Sequence, residues 1–212
     1  ILMCIALARP QIISENKIIK KEGIDIVVAL DLSQSMLQRD FKPNRLETAK
    51  KLLEEFINKR VNDRISLVVF GGDAYTKVPL TFDHNVVKDI TSKLTTDDIT
   101  SNNRTAIGMG LGVSLNRLKD SEAKSKVIIL MTDGENNSGE MSPMGASEIA
   151  KELGIKIYTI GIGAREIQIR VPFGHTTVKN TELDENLLKN IASTTGGEYF
   201  RAGSEKEFQE IF

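Results

Sequence analysis

The chain has 212 residues, enough for one large domain with a buried core. Its 28 Lys and Arg against 29 Asp and Glu give a net charge of −1, with no basic excess to attract nucleic acid. A single cysteine, Cys4, excludes an intrachain disulfide and any C-x-x-C motif; two histidines, His84 and His175, and the absence of Trp argue against a histidine-rich metal site and a base-stacking platform.

Residues 1–8, ILMCIALA, are wholly apolar and are stopped by Arg9-Pro10. Eight residues are too few to cross a bilayer, which takes about 20. With no basic n-region they do not read as a signal peptide. Residues 1–10 read as the end of a truncated transmembrane helix or, alternatively, a stub packed on the domain. Residues 11–23 read as a linker or edge strand, and 24–212 as the domain itself.

Residues 24–35, IDIVVALDLSQS, are the stretch around which the rest of the chain is organised. Ile26, Val27, Val28, Ala29 and Leu30 form a short β-branched run that predicts a strand buried on both faces. It ends in Asp31, Ser33 and Ser35. If the chain stays extended there, a period of two points all three oxygens to one side. A hard cation such as Mg²⁺ takes such ligands. The alternative is that Asp31 and the serines only cap the next turn.

Asn44 is placed to cap a helix over 44–60, with Leu46, Ala49, Leu52, Leu53, Phe56 and Ile57 at helical spacing. Residues 63–70 predict a second strand, and 75–80 a short one at a sheet edge because of Pro79. Residues 84–94 predict a helix with His84 exposed near its start. A polar loop, 95–104, then delivers Thr105 to a helix carrying Ala106, Gly108, Gly110 and Gly112 on one side. Glycines lower helix stability, so this helix is expected to lie close against a neighbour.

A fully buried strand over 126–131 ends in Thr132-Asp133-Gly134-Glu135-Asn136. A helix over 143–153, capped by Gly154, leads to a strand over 155–160. Residues 165–179 suggest a hairpin with His175 at its tip. A helix over 184–194, a strand over 198–201 and an amphipathic helix from Ser204 with Phe208, Ile211 and Phe212 complete the chain. Strands alternating with helices predict an α/β fold: a doubly wound, Rossmann-like, mostly parallel sheet flanked by helices. Ligands bind such sheets beyond the strand carboxyl ends, where the strand order reverses. The Asp31 and Asp133 strands are the most apolar, so both should be central and should present two carboxylates at one crevice, with Thr105 entering from a third segment.

In this order and spacing, D-L-S-Q-S, the Thr of R-T-A-I-G and M-T-D-G-E resemble the von Willebrand factor A domain and its metal-ion-dependent adhesion site. The resemblance implies that Ser33, Ser35 and Thr105 are hydroxyl ligands, with Asp31 and Asp133 acting directly or through water. It implies Mg²⁺, with Mn²⁺ or Ca²⁺ as alternatives, and a protein partner whose acidic residue completes the coordination. A-R-P-Q (8–11), L-D-E-N-L-L-K-N-I-A (183–192) and T-G-G-E-Y-F-R-A (195–202) further resemble the bacterial Bat aerotolerance proteins. That implies an inner-membrane anchor with the domain in the periplasm, and partners among other Bat proteins or a MoxR-type ATPase system. Residues 163–181 are shorter than the insertion expected there, and no function is carried onto them.

These features predict a metal-dependent protein-interaction module without catalysis. One rival is a Mg²⁺-dependent phosphohydrolase of the haloacid dehalogenase type, which needs a second Asp where Ser33 stands. Another is an extracellular adhesion domain, which shares the site but not the membrane stub.

Overall fold

The computed structural model describes residues 23–101, 103–134, 136–164 and 183–202, with the backbone of two further strands, Glu166–Val171 and Gly174–Lys179. The expected stub at 1–10, the linker before residue 23 and the helix from 204 lie outside the described residues.

Six strands form one sheet: β1 (Asp25–Asp31), β2 (Arg64–Phe70), β3 (Ala74–Thr81), β4 (Lys126–Thr132), β5 (Lys156–Ile162) and β8 (Tyr199–Ala202). Their order is β3-β2-β1-β4-β5-β8. All neighbours run parallel except β3, which pairs antiparallel to β2 and carries Pro79 at the edge, where a missing N–H costs no ladder bond. Strands β6 (Glu166–Val171) and β7 (Gly174–Lys179) make the separate antiparallel hairpin. His175 is the second residue of β7 and pairs with Arg170, so it sits beside the turn rather than at the tip.

β1 is buried along its whole length and is laddered on both sides, to β2 and β4. Its alternation splits the core in two. Ile26, Val28 and Leu30 pack with Leu46, Leu53 and Phe56 of α1 (Arg45–Asn58) and Val87 of α2 (His84–Lys93). Val27 and Ala29 pack on the other face with Ile107 and Leu111 of α3 (Ile107–Leu118), Ala146 of α4 (Pro143–Glu152) and Leu188 of α5 (Glu185–Thr195). A strand that feeds both layers must be apolar on both sides, which is why it reads as a continuous run.

Caps set the helix starts. The Asn44 side chain accepts from the Glu47 N–H at 2.8 Å, and Asp184 accepts from Leu187 at 2.9 Å. The glycines of α3 serve two neighbours rather than one side. A Cβ on Gly108 would lie 1.9 Å from the Met141 carbonyl oxygen, whereas one on Gly110 would lie 2.8 Å from the Phe70 ring. The helix is thus pressed between β2 and the segment entering α4. His84 also departs from expectation: it is half-buried, with Nε2 2.8 Å from the Asp63 carbonyl oxygen, because the start of α2 folds against the turn before β2.

Candidate metal centre

β1 and β4 are adjacent, and the strand order reverses between them. Their carboxyl ends therefore carry Asp31 and, one residue past β4, Asp133 into the same crevice. Both are buried, at 0% and 1% exposure. The chain does not stay extended after Asp31: Gln34–Leu37 is a 3₁₀ turn. The oxygens converge because the turn folds back, with the Ser33 N–H donating to Asp31 Oδ1 at 2.8 Å and the Met36 N–H to the Ser33 carbonyl at 3.0 Å. Of the capping alternative, the Asp31 bond to the Ser33 N–H is present, whereas the Ser33 side chain makes no cap bond.

The other Asp31 oxygen, Oδ2, accepts the Thr132 hydroxyl at 2.5 Å, which ties the end of β4 to the end of β1. Thr132 Oγ1 in turn accepts the Gly134 N–H at 3.2 Å. Burial pushes the Asp31 carboxyl up to about 7, and the nearby Asp133 charge adds to this, against the hydrogen bonds from Ser33 and Thr132. A cation placed there would relieve that penalty.

The Ser33 and Ser35 hydroxyls share a hydrogen bond at 3.0 Å, and Ser35 Oγ donates to Asp133 Oδ1 at 2.8 Å. An octahedral ion with metal–oxygen distances of about 2.1 Å sets neighbouring ligand oxygens about 3 Å apart. The Ser33–Ser35 and Ser35–Asp133 pairs already have that spacing, so the residues fit a Mg²⁺-sized ion. No group of three or more His, Cys, Asp or Glu side chains arranged to hold a metal occurs among the described residues. The donor set is hard and hydroxyl-rich, which disfavours soft transition metals.

Thr105 is 3% exposed and is held by its main chain. Its N–H donates to Asn137 Oδ1 at 2.9 Å, and its carbonyl accepts from the N–H groups of Asn137 and Ser138 at 3.0 and 3.2 Å. Its Oγ1 lies 3.6 Å from where a Cβ of Gly134 would stand, so the hydroxyl approaches the residue that follows Asp133. Helix α3 has Ala106 at its N-cap, which offers no side-chain acceptor; Asn136 Oδ1 instead accepts the Ile107 N–H at 2.8 Å. The loop after β4 thereby holds both Thr105 and the start of α3. All five expected residues, Asp31, Ser33, Ser35, Thr105 and Asp133, meet at this end of the sheet.

Sequence reasoning missed Arg45. This side chain is 0% exposed and donates from Nη1 to Asp133 Oδ2 at 2.8 Å. Its Nε and Nη2 both bond the Asp40 carboxylate, at 2.9 and 2.8 Å to Oδ1 and Oδ2. Asp40 Oδ2 also accepts the Ala164 N–H at 2.9 Å, just before the β6–β7 hairpin. Burial disfavours the Asp40 charge, but the bonds from Arg45 and Ala164 outweigh it and hold the carboxyl below the usual carboxylate range. The signal was present: Arg45 stands four residues before Ala49 and eleven before Phe56, on the apolar stripe of α1, where a cation needs a buried partner.

The von Willebrand factor type A domain model matches residues 25–212. The chain is 36% identical over 214 residues to an uncharacterized protein of Borreliella burgdorferi, covering 98% of this chain and 62% of that protein. Among solved structures, BatB of Bacteroides thetaiotaomicron superposes with a TM-score of 0.76 at 31% identity, over 89% of this chain and 95% of that one. An aerotolerance-related membrane protein of Bacteroides fragilis gives 0.75 at 28% identity, over 89% and 94%. The chain spans only 58% to 65% of the lengths of the curated relatives it matches. Among the described residues no helix is long and apolar enough to cross a membrane. With the A-domain sheet order, the three-segment oxygen cluster and a family match over nearly the whole chain, this protein belongs to the von Willebrand factor type A domain family.

Proposed function

We propose that the domain is a metal-dependent docking module for a protein partner and performs no catalysis. The observation that carries this reading is the Ser33–Ser35–Asp133 oxygen cluster, at 3.0 and 2.8 Å, beside buried Asp31. Three of the five donors are neutral hydroxyls and the two carboxylates only just balance a dication, so the charge is not over-compensated and an open coordination position can still take an anionic ligand. Ser33, Ser35 and Thr105 hold the ion, with Asp31 and Asp133 acting directly or through water. An acidic residue of the partner completes the shell. Mg²⁺ is the ion of choice, and Mn²⁺ or Ca²⁺ can occupy the same hard donor set.

The likeness to BatB and to an aerotolerance-related membrane protein supports a place in a bacterial membrane system; we read that membrane as the inner one, with the domain on its periplasmic side. Partners are then other Bat proteins or a MoxR-type ATPase system. Phosphohydrolase chemistry is disfavoured because Ser33 stands where a general-acid carboxylate is required, and a serine hydroxyl cannot serve as that acid near neutral pH.

The test is a thermal-shift titration with Mg²⁺ and Mn²⁺, joined to a pulldown from membrane extract in which EDTA releases the bound partner. A metal-dependent rise in Tm and EDTA-reversible capture support the reading. Turnover of generic phosphate esters that is lost in Asp31→Asn favours the phosphohydrolase instead.

A further inference from the structure

Arg45 is the one fully buried arginine among the described residues, and it is spent on the metal centre rather than on the surface. Its guanidinium bridges Asp133 Oδ2 and both oxygens of Asp40, with side-chain exposure of 0% at Arg45, 0% at Asp133 and 5% at Asp40. Burying a charged side chain to this depth is unfavourable unless every charge is matched. Here Asp40 matches it almost completely, as a bidentate pair, before Asp133 is counted. Its Nη1 also donates to Asp133 Oδ2 at 2.8 Å.

That contact has two consequences at the site. Asp133 accepts from Ser35 at Oδ1 and from Arg45 at Oδ2. A fixed positive charge also lies on the protein side of the Asp133 carboxylate. A dication in the cluster feels less of the Asp133 charge than it would from a bare carboxylate. We propose that Arg45 is a specificity-determining residue of the metal centre: acting through Asp133, it weakens the protein's own hold on the ion and so preserves the ion's demand for an external carboxylate. This rests on the metal-dependent function proposed for the domain and names what tunes it.

The experiment compares wild type, the double variant D40N/R45M and R45K at pH 8, by titrating Mn²⁺ alone in a calorimeter and then acetate into Mn²⁺-loaded protein. D40N/R45M removes the guanidinium together with the charge that balanced it, so Asp133 alone changes its net surroundings. It is expected to bind Mn²⁺ severalfold more tightly, since the pair removed is neutral overall and what the ion loses is its dipole, whose positive end lies on Asp133. Acetate affinity is expected to fall by a comparable factor. R45K keeps a positive charge but not the fork that bridges Asp40 and Asp133, so it should lie between wild type and D40N/R45M in both titrations.

An arginine with a merely structural role gives a different pattern: Mn²⁺ binding weakens together with the melting temperature in D40N/R45M. That pattern, or unchanged Mn²⁺ and acetate affinities, overturns the proposal while leaving the metal reading intact. A wild-type protein that takes up no Mn²⁺ overturns the metal reading, and this proposal with it.

Discussion

Ser35 Oγ donates to Asp133 Oδ1 at 2.8 Å across 98 residues of sequence. The bond joins the turn after β1 to the loop after β4, and it exists because the reversal of strand order makes those two ends neighbours. Asp31 and Thr132 make the parallel connection one layer deeper, at 2.5 Å.

That deeper connection separates metal binding from folding in an isosteric variant. Asp31→Asn retains an oxygen for the Ser33 N–H and a polar group for the Thr132 hydroxyl, but it removes the carboxylate from the cluster. The expected outcome is a cooperative melt within a few degrees of wild type and loss of the Mg²⁺- or Mn²⁺-induced rise in Tm. Differential scanning fluorimetry with and without metal checks it. A metal-dependent rise that survives in the variant places the ion elsewhere.

Gly108→Ala tests the close approach of α3 to the segment before α4. The new Cβ would stand 1.9 Å from a backbone oxygen, that of Met141, which cannot rotate away as a side chain can. Overpacking of this kind costs about 1–3 kcal/mol, and the backbone partner puts this site toward the upper end. Urea unfolding should show the loss in the midpoint with little change in the m-value. Gly154→Ala, where nothing stands within 4 Å, should be governed by its φ of +65° alone and cost about 1 kcal/mol.

Asn136→Ala removes the acceptor that caps α3 from another segment. An uncapped helix start costs about 1 kcal/mol. Because the same loop holds Thr105, the variant should also weaken the thermal response to Mn²⁺, whereas loss of the local cap Asn44 in Asn44→Ala should lower stability and leave the metal response alone. Paired melts of the two variants distinguish them.

The acid limb of stability should be set partly by Asp40. Its carboxyl is depressed in the folded state, so the folded protein resists protonation more than the unfolded chain does. The stabilisation is present above the unfolded value of about 4 and is lost as pH falls through the folded value. Urea midpoints between pH 7 and pH 3 should therefore fall more steeply in wild type than in Asp40→Asn. Equal slopes would remove Asp40 from the acid-sensitive groups.

The two apolar strands ending in Asp, the edge strand carrying Pro79 and the small-residue helix after Thr105 were legible in the sequence because each is a local pattern with one good physical reading. That Asp31, Ser33, Ser35, Thr105 and Asp133 come to one end of the sheet was legible because three short motifs in fixed order are far more specific than any one of them; their binding of a metal belongs to the proposed function. Arg45 was not recognised because α1 was read by its apolar positions, and a cation on that stripe acquires meaning only when Asp40 and Asp133 are seen against it. The extended course expected after Asp31 failed for a related reason: alternation describes side-chain direction only while the strand lasts, and the Gln34–Leu37 turn ends it. The division of Gly108 and Gly110 between two neighbours depends on packing partners that no helical pattern records.

β1 is hydrogen-bonded to a strand on each side, and its amides can exchange with solvent only when the whole sheet opens. Asp31 inherits that persistence. Ser35 and Thr105 do not: one sits on a single 3₁₀ turn and the other on a loop, where opening free energies are small. An arriving ligand thus meets a carboxylate that holds its place on every timescale short of unfolding. On the proposed docking function, any adjustment of the site falls on these loops and leaves the core untouched.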